Sequence, residues 1–163
     1  MTTDTRGSSS PARAGEQPRQ YSTFFVKGLY FGVEVLAVQE VIRYQQMTPV
    51  PLAPPVVSGI INLRGQIVTA IDLRRRIGLE DRRPDELPMN VVVRTEDGAV
   101  SLLVDEIDDV VEVTHEQFEA APDTLRGTIR ALVTGVYKLK GQLLLVLDVK
   151  QTVSLDSLTQ AAL

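Results

Sequence analysis

Residues Ser58 to Leu79 (SGIINLRGQIVTAIDLRRRIGL) align without a gap on Thr134 to Leu155 (TGVYKLKGQLLLVLDVKQTVSL), 76 positions later. Six of the 22 positions are identical: Gly59/Gly135, Leu63/Leu139, Gly65/Gly141, Gln66/Gln142, Asp72/Asp148 and Leu79/Leu155. Most of the rest exchange like for like, as in Arg64/Lys140 and Ile71/Leu147. A fainter match sets Phe31 to Tyr44 on Val100 to Val113, pairing Val35 with Val104, Val38 with Ile107, Val41 with Val110 and Ile42 with Val111. The two matches come in the same order in each half, so the chain reads as one unit of about 70 residues used twice.

Each unit is punctuated like a β protein. Short runs of Val, Ile, Leu, Phe and Tyr alternate with Gly, Pro and Asp, giving candidate strands at 21–27, 30–35, 65–72, 90–95, 99–104, 135–139 and 142–149. Lys27-Gly28 and Asp97-Gly98 stand where tight hairpins need positive backbone angles. The spacing of Val38, Val41 and Ile42, and of Ile107, Val110 and Val111, predicts a short helical turn in each unit. A unit of this length with about five strands is the size of an SH3-like barrel, whose closure removes aggregation-prone edges. The expected fold is all-β, two tandem SH3-like five-stranded barrels with short helical turns. The first barrel covers roughly 20–88 and the second roughly 89–155, with exchange of a strand between them possible. Residues 1–19, rich in Ser, Pro, Gly, Thr and Arg without apolar periodicity, are expected to be a disordered tail, and 156–163 a C-terminal tail. Barrels this small cannot bury every apolar side chain, so the remainder should meet between barrels or face a partner.

Composition narrows the partners. Seventeen basic against 21 acidic residues give a net charge of −4, the wrong sign for long-range attraction to nucleic acid or an anionic membrane. There is no cysteine, which excludes disulfides, thiolate nucleophiles and sulfur-ligated metals. No apolar run approaches the roughly 20 residues of a membrane-crossing helix, and no secretory leader is evident, so a soluble cytoplasmic protein is expected.

Catalytic patterns are missing as well. There is no G-x-S-x-G elbow, no phosphate-binding G-x-x-x-x-G-K-[ST] and no G-x-G-x-x-G, so hydrolase and nucleotide-binding readings fall. His115, the only histidine, follows Thr114 as N-cap with Gln117 completing a capping box, which predicts an exposed helical histidine. The cluster Asp105-Glu106-Ile107-Asp108-Asp109 lacks the glycine turn and distal glutamate of a calcium loop, so no metal or cofactor is expected. Arg74-Arg75-Arg76, continued by Arg82 and Arg83, is expected to be a solvated loop facing those acids. Asp72 and Asp148 end matching strands and should cap the turns that follow.

Phe31-Gly32-Val33-Glu34-Val35-Leu36-Ala37-Val38-Gln39-Glu40-Val41-Ile42, then Pro49-Val50-Pro51, Gly59-Ile60-Ile61-Asn62-Leu63-Arg64-Gly65, Ile71-Asp72-Leu73-Arg74 and Leu102-Leu103-Val104-Asp105 resemble the CheW family in order and spacing, over about residues 20–155. The most specific part is N-L-R-G followed closely by D-L-R. The resemblance implies a non-catalytic adaptor in arrays with chemoreceptors and the CheA histidine kinase, whose regulatory domain shares the fold. It implies recruitment to membrane-associated receptor arrays without insertion in the membrane. It also implies a groove between the barrels that takes the tip of a methyl-accepting chemoreceptor's helical hairpin. By motif position that groove would be lined by Val35, Val38, Val100, Ile107 and Val110. Glu40 and Arg64 match positions tied to coupling and are expected to pair at the groove's rim. Gly59 and Gly65 are expected to hold backbone angles. Thr69 stands where the family often has proline, a change without expected consequence. Ser101 replaces a frequent small glycine beside the groove and is expected to narrow it. Three rival readings remain: a coupling protein for a chemosensory system that drives something other than flagella, such as pilus motility or gene expression; an enzyme with a metal on Asp105 to Asp109; and a tandem module on nucleic acid, which the charge disfavours.

Overall fold

The computed structural model describes residues 18–154, so the two expected tails lie outside the described residues except for Pro18 and Arg19. Arg19 already belongs to the first strand, β1 (Arg19–Val26), which turns through Lys27-Gly28 into β2 (Leu29–Glu34). A 3₁₀ turn, Val35–Ala37, leads to β3 (Val38–Ile42), followed by the hairpin β4 (Val57–Leu63) and β5 (Gln66–Asp72) and a single helical turn, α1 (Leu73–Arg76). The second unit repeats this plan. Its hairpin is β6 (Met89–Thr95) and β7 (Gly98–Val104), followed by the short strands β8 (Glu106–Ile107), β9 (Val111–Val113) and β10 (Phe118–Glu119). Then come α2 (Gly127–Leu132), the hairpin β11 (Val133–Leu139) and β12 (Gln142–Leu147), and α3 (Val149–Val153). Both turns after a hairpin start on the matched aspartates: the Asp72 carboxylate accepts from the Arg74 N–H and the Asp148 carboxylate from the Gln151 N–H, each at 3.0 Å.

Sheet membership crosses the expected boundary at 88/89. One sheet runs β9-β1-β2-β12-β11-β10, with β8 also on β1; the other runs β3-β6-β7-β5-β4. Each sheet therefore combines the leading hairpin of one unit with the later strands of the other. The chain changes sheets at matched places, Val35–Ala37 in the first unit and Asp105 in the second. The physical reason lies in two parallel pairings, β2 with β12 (Phe31 opposite Leu145) and β5 with β7 (Thr69 opposite Val100). A tight turn cannot join parallel strands, so the neighbour comes from the other unit.

Both sheets curl closed. Six residues beyond β3, Thr48 bridges Ile60 on the far edge strand β4 with two backbone hydrogen bonds of 2.9 and 2.8 Å. In the other sheet β9 and β10 lie at opposite edges and are joined by only Thr114–Gln117, where the expected capping box is present. Gly59 and Gly135 sit under these closures. A Cβ at Gly59 would meet the Thr48 carbonyl oxygen at 2.6 Å, and one at Gly135 would meet the Phe118 ring at 2.5 Å.

The helical turn expected around Val38 is a strand instead. A bulge shifts the register between Val38 (opposite Val93) and Glu40 (opposite Val92), so Val38 and Val41 share a face although three residues apart. The bulge imitates helical spacing.

Side chains alternate along each strand, and both faces of each sheet are buried. Tyr21, Tyr30, Val113, Tyr137, Leu144 and Val146 fill the interior of one barrel; Ile61, Leu63, Val68 and Val92 fill the other. The opposite faces meet in a third, larger cluster, with Phe24, Phe31, Val33 and Leu145 from one sheet and Ile71, Val91, Val93 and Leu102 from the other. Each such side chain contributes about 1.5–3 kcal/mol by burial, so this shared seam binds the barrels into one folding unit.

Candidate functional site

The seam gathers three of the five expected groove residues. Val38 stands opposite Val93, which stands opposite Val100 across β6 and β7; Ile107 stands opposite Phe24 on β1. Val38, Val100 and Ile107 are each half-buried and pack on the shared cluster, Val38 and Val100 from one sheet and Ile107 from the other. Val35 and Val110 do not join that cluster. Tyr21 on β1 is opposite Glu34 on one side and Val111 on the other, so Val35 and Val110, next along the chain, flank β1 at roughly 10 Å, two strand spacings. Val110 is 57% exposed, because the loop between β8 and β9 leaves the sheet there.

Alongside the seam runs a groove of about 980 Å³, walled by Ala37, Ile67, Thr69 and Val100 from one barrel and by Val149 and Val153 of α3. Arg94, Glu96 and Lys150 form a polar rim. Arg94 Nη1 also donates to the carbonyls of Leu36 and Val38, 3.1 Å each, holding the crossing turn against β6. That turn presents Leu36 at 88% exposure. Leu36 and Ile67 escaped the sequence reading. For Ile67 a signal existed: Val68 and Ala70 face the barrel interior, so an isoleucine between them and the hairpin turn faces out.

Of the expected departures, Thr69 lines the groove and Ser101 does not. Ser101 is fully buried in the barrel, donating to Asn90 Oδ1 at 2.7 Å, because its register partner Val92 faces the interior. Size at position 101 therefore acts on the barrel, not on the groove.

Glu40 and Arg64 do pair, Arg64 Nη2 donating to Glu40 Oε2. They pair away from the groove. Glu40 is opposite Val92 and so faces the other side of the sheet from Val38, the bulge separating the two. Arg64 (φ 52) and Gly65 (φ 90) form a two-residue turn with both angles positive, which carries the guanidinium into solvent on the β4–β5 hairpin. The hydrogen bond from Arg64 holds the Glu40 carboxyl below its ordinary pKa.

The acidic cluster and the arginine run are joined, but by burial rather than through solvent. Asp105 accepts from Arg74 Nη2 at 2.7 Å, from Arg82 Nε at 2.8 Å and from the Lys27 N–H at 2.6 Å. Arg82 also reaches Asp72 at 3.0 Å and the Leu103 carbonyl at 3.1 Å. The Arg74, Arg82 and Asp105 side chains are only 9%, 8% and 16% exposed. Burial would raise the Asp105 carboxyl, yet the hydrogen bonds from Arg74 and Lys27 and the charge of Arg82 hold it below its ordinary value. Two guanidinium groups thus occupy the Asp105 oxygens, and Asp105 pins the crossing from β7 to β8. His115 is exposed, its ring stacked on Phe118.

A CheW-like domain model matches residues 20–157. The chain is 31% identical over 146 residues to the chemotaxis protein CheW of Klebsiella aerogenes, covering 89% of this chain and 88% of that protein. It is 29% identical over 156 residues to the chemotaxis protein CheW of Treponema pallidum, covering 93% and 92%. The crystal structure of the scaffolding protein TtCheW from Thermoanaerobacter tengcongensis matches with a TM-score of 0.77 at 24% identity, over 86% of this chain and 96% of that one, a likeness of fold.

Proposed function

Because the chain belongs to the CheW family and is a chemotaxis adaptor, we propose that it couples the helical hairpin tips of methyl-accepting chemoreceptors to the regulatory domain of a CheA-type histidine kinase. It performs no chemistry of its own and works in the cytoplasm, recruited to membrane-associated receptor arrays. The observation that carries this reading is the seam on which Val38, Val100 and Ile107 converge from two sheets. An apolar surface between two rigid barrels suits the apolar face of a docking helix, and truncating one anchor in such a pocket weakens binding far more than truncating a rim residue. Val35 and Val110 extend the surface at its end. Glu40 and Arg64, on a separate face, serve coupling by presenting an oriented guanidinium fork to polar groups of a partner.

The test is co-sedimentation of the protein with receptor hairpin fragments and a CheA-type kinase, scored by kinase activity. Kinase activity is expected to depend on this chain and to fall sharply with Val38→Ser plus Ile107→Ser. Activity that is the same with and without the chain contradicts the adaptor reading.

A further inference from the structure

The two units treat one matched bulge differently. In the first unit Val38 on β3 stands opposite Val93 on β6, and after a single bulged residue the ladder resumes, with Glu40 opposite Val92 and Val41 opposite Val91. In the second unit β1 takes the place of β6, with Ile107 opposite Phe24 and Val111 opposite Tyr21. Asp108, Asp109 and Val110 thus face only Ser22 and Thr23, the same insertion of one residue, but here none of the three joins a strand. Val110 projects at 57% exposure, while its repeat partner Val41 stays half-buried.

Thr23 accounts for the difference. It is fully buried, its carbonyl accepts from the Asp108 N–H at 2.9 Å, and its Oγ1 donates to the Asp109 carbonyl. A side chain thus satisfies a backbone group that a ladder would otherwise pair. Tyr30, also buried, sets its hydroxyl against the Thr23 and Asp108 side chains; burial raises its pKa, and the Thr23 contact partly offsets that rise. Extending the fainter repeat match back without a gap sets Thr23 on Val92 and Tyr30 on Ala99, whose side chains offer no hydrogen bond. The unit with the apolar pair keeps its ladder, and the unit with the polar pair lifts the loop.

We infer that Thr23 is a positioning residue for docking: its hydroxyl holds Asp108–Val110 off the ladder and so aims Val110 at the partner that the seam receives. The inference rests on the adaptor reading and deepens it, because it places a specificity device beneath a surface that Thr23 itself does not reach. The hydroxyl selects between two shapes for that end of the surface, Val110 raised or Val110 laid down as Val41 is. Bulges commonly re-aim side chains in this way.

Thr23→Val gives the second unit the residue of the first, and Thr23→Ser keeps the hydroxyl. Each full chain is titrated with a receptor hairpin fragment, beside Val110→Ala and the combination of Thr23→Val with Val110→Ala, and each is melted. Thr23→Val is expected to bind about tenfold more weakly, as for the loss of one anchor. Thr23→Ser should bind within about twofold of the parent, since the donor is retained. Added to Val110→Ala, Thr23→Val should cost nothing more, because it acts through that side chain. Melting should not follow binding: the Asp109 carbonyl that Thr23→Val frees belongs to an exposed residue, where water replaces the hydroxyl, so this variant should melt no lower than the parent. Equal binding by the parent and Thr23→Val, or the same loss again on top of Val110→Ala, overturns the inference while leaving the adaptor reading in place. A parent chain that binds no fragment strikes the adaptor reading, and the inference with it.

Discussion

The two places where the chain passes between sheets, Val35–Ala37 and Asp105, are matched in the repeat and finished with opposite chemistry. At Asp105 two guanidinium groups and a backbone N–H converge on one carboxylate that is largely withdrawn from solvent. At Val35–Ala37 the Arg94 guanidinium clasps the backbone, and Leu36 projects outward. A duplicated unit can thus keep one backbone plan while sealing one crossing with buried charge and leaving the other exposed. The apolar seam residues Val38 and Val100 lie beside the open crossing, whereas the sealed one offers only a small polar cleft.

The contrast is broken most directly at the sealed crossing. Asp105→Ala leaves Arg74 and Arg82 short of a buried partner and is expected to cost about 3–5 kcal/mol, read from urea unfolding. A much smaller loss would mean that the crossing is not held by charge. The same carboxylate sets an acid limit. Its folded pKa is depressed, so its contribution is complete above the unfolded value of about 3.9 and disappears as pH falls through the lower folded value. The urea midpoint of the parent chain should therefore drop below about pH 4 more steeply than that of Asp105→Asn.

Next in size come the closures. Gly59→Ala drives a Cβ against a backbone carbonyl and is expected to cost about 1–3 kcal/mol. Gly135→Ala meets the ring of Phe118, a partly exposed side chain that can swing aside, so its cost should be clearly smaller although the repeat treats the two as equivalents. At the open crossing, Arg94→Met removes two hydrogen bonds to the turn and should cost about 1 kcal/mol in a thermal melt. The smallest effect on stability belongs to Arg64→Ala, because an exposed ion pair contributes little. Its melting curve should overlay that of the parent, while kinase activation in a reconstituted array falls. Unchanged activation would remove Arg64 from the coupling machinery.

How far the sequence foretold this architecture can be followed residue by residue. The repeat, the capping aspartates, the Lys27-Gly28 turn, the positive angle at Gly65 and the capping box at Thr114 all rest on local chemistry, and local chemistry is written in adjacent residues. What stayed hidden depends on distant contacts. Parallel pairing of Phe31 with Leu145 joins residues from opposite ends of the chain, so the division at 88/89 reads as a barrel boundary until the pairing is seen. A single inserted residue at the Val38–Glu40 bulge gave a strand the spacing of a helix. The burial of Arg74 and Arg82 follows from a carboxylate 31 and 23 residues away, which composition places in a solvated loop. Of the groove residues the resemblance implied, Val38, Val100 and Ile107 stand at the seam. The resemblance supplied neither Leu36, whose exposure depends on how the crossing turn projects, nor the separation of Glu40–Arg64 from the groove, which the bulge imposes.

The central claim is that a seam built from both sheets receives a helix. Methyl NMR of the full chain, titrated with a receptor hairpin fragment, addresses it directly. The account predicts that the Val38, Val100 and Ile107 methyls shift together and saturate at one common fragment concentration. Shifts confined to the outer surface of a single barrel, with those three methyls unmoved at saturation, would contradict it.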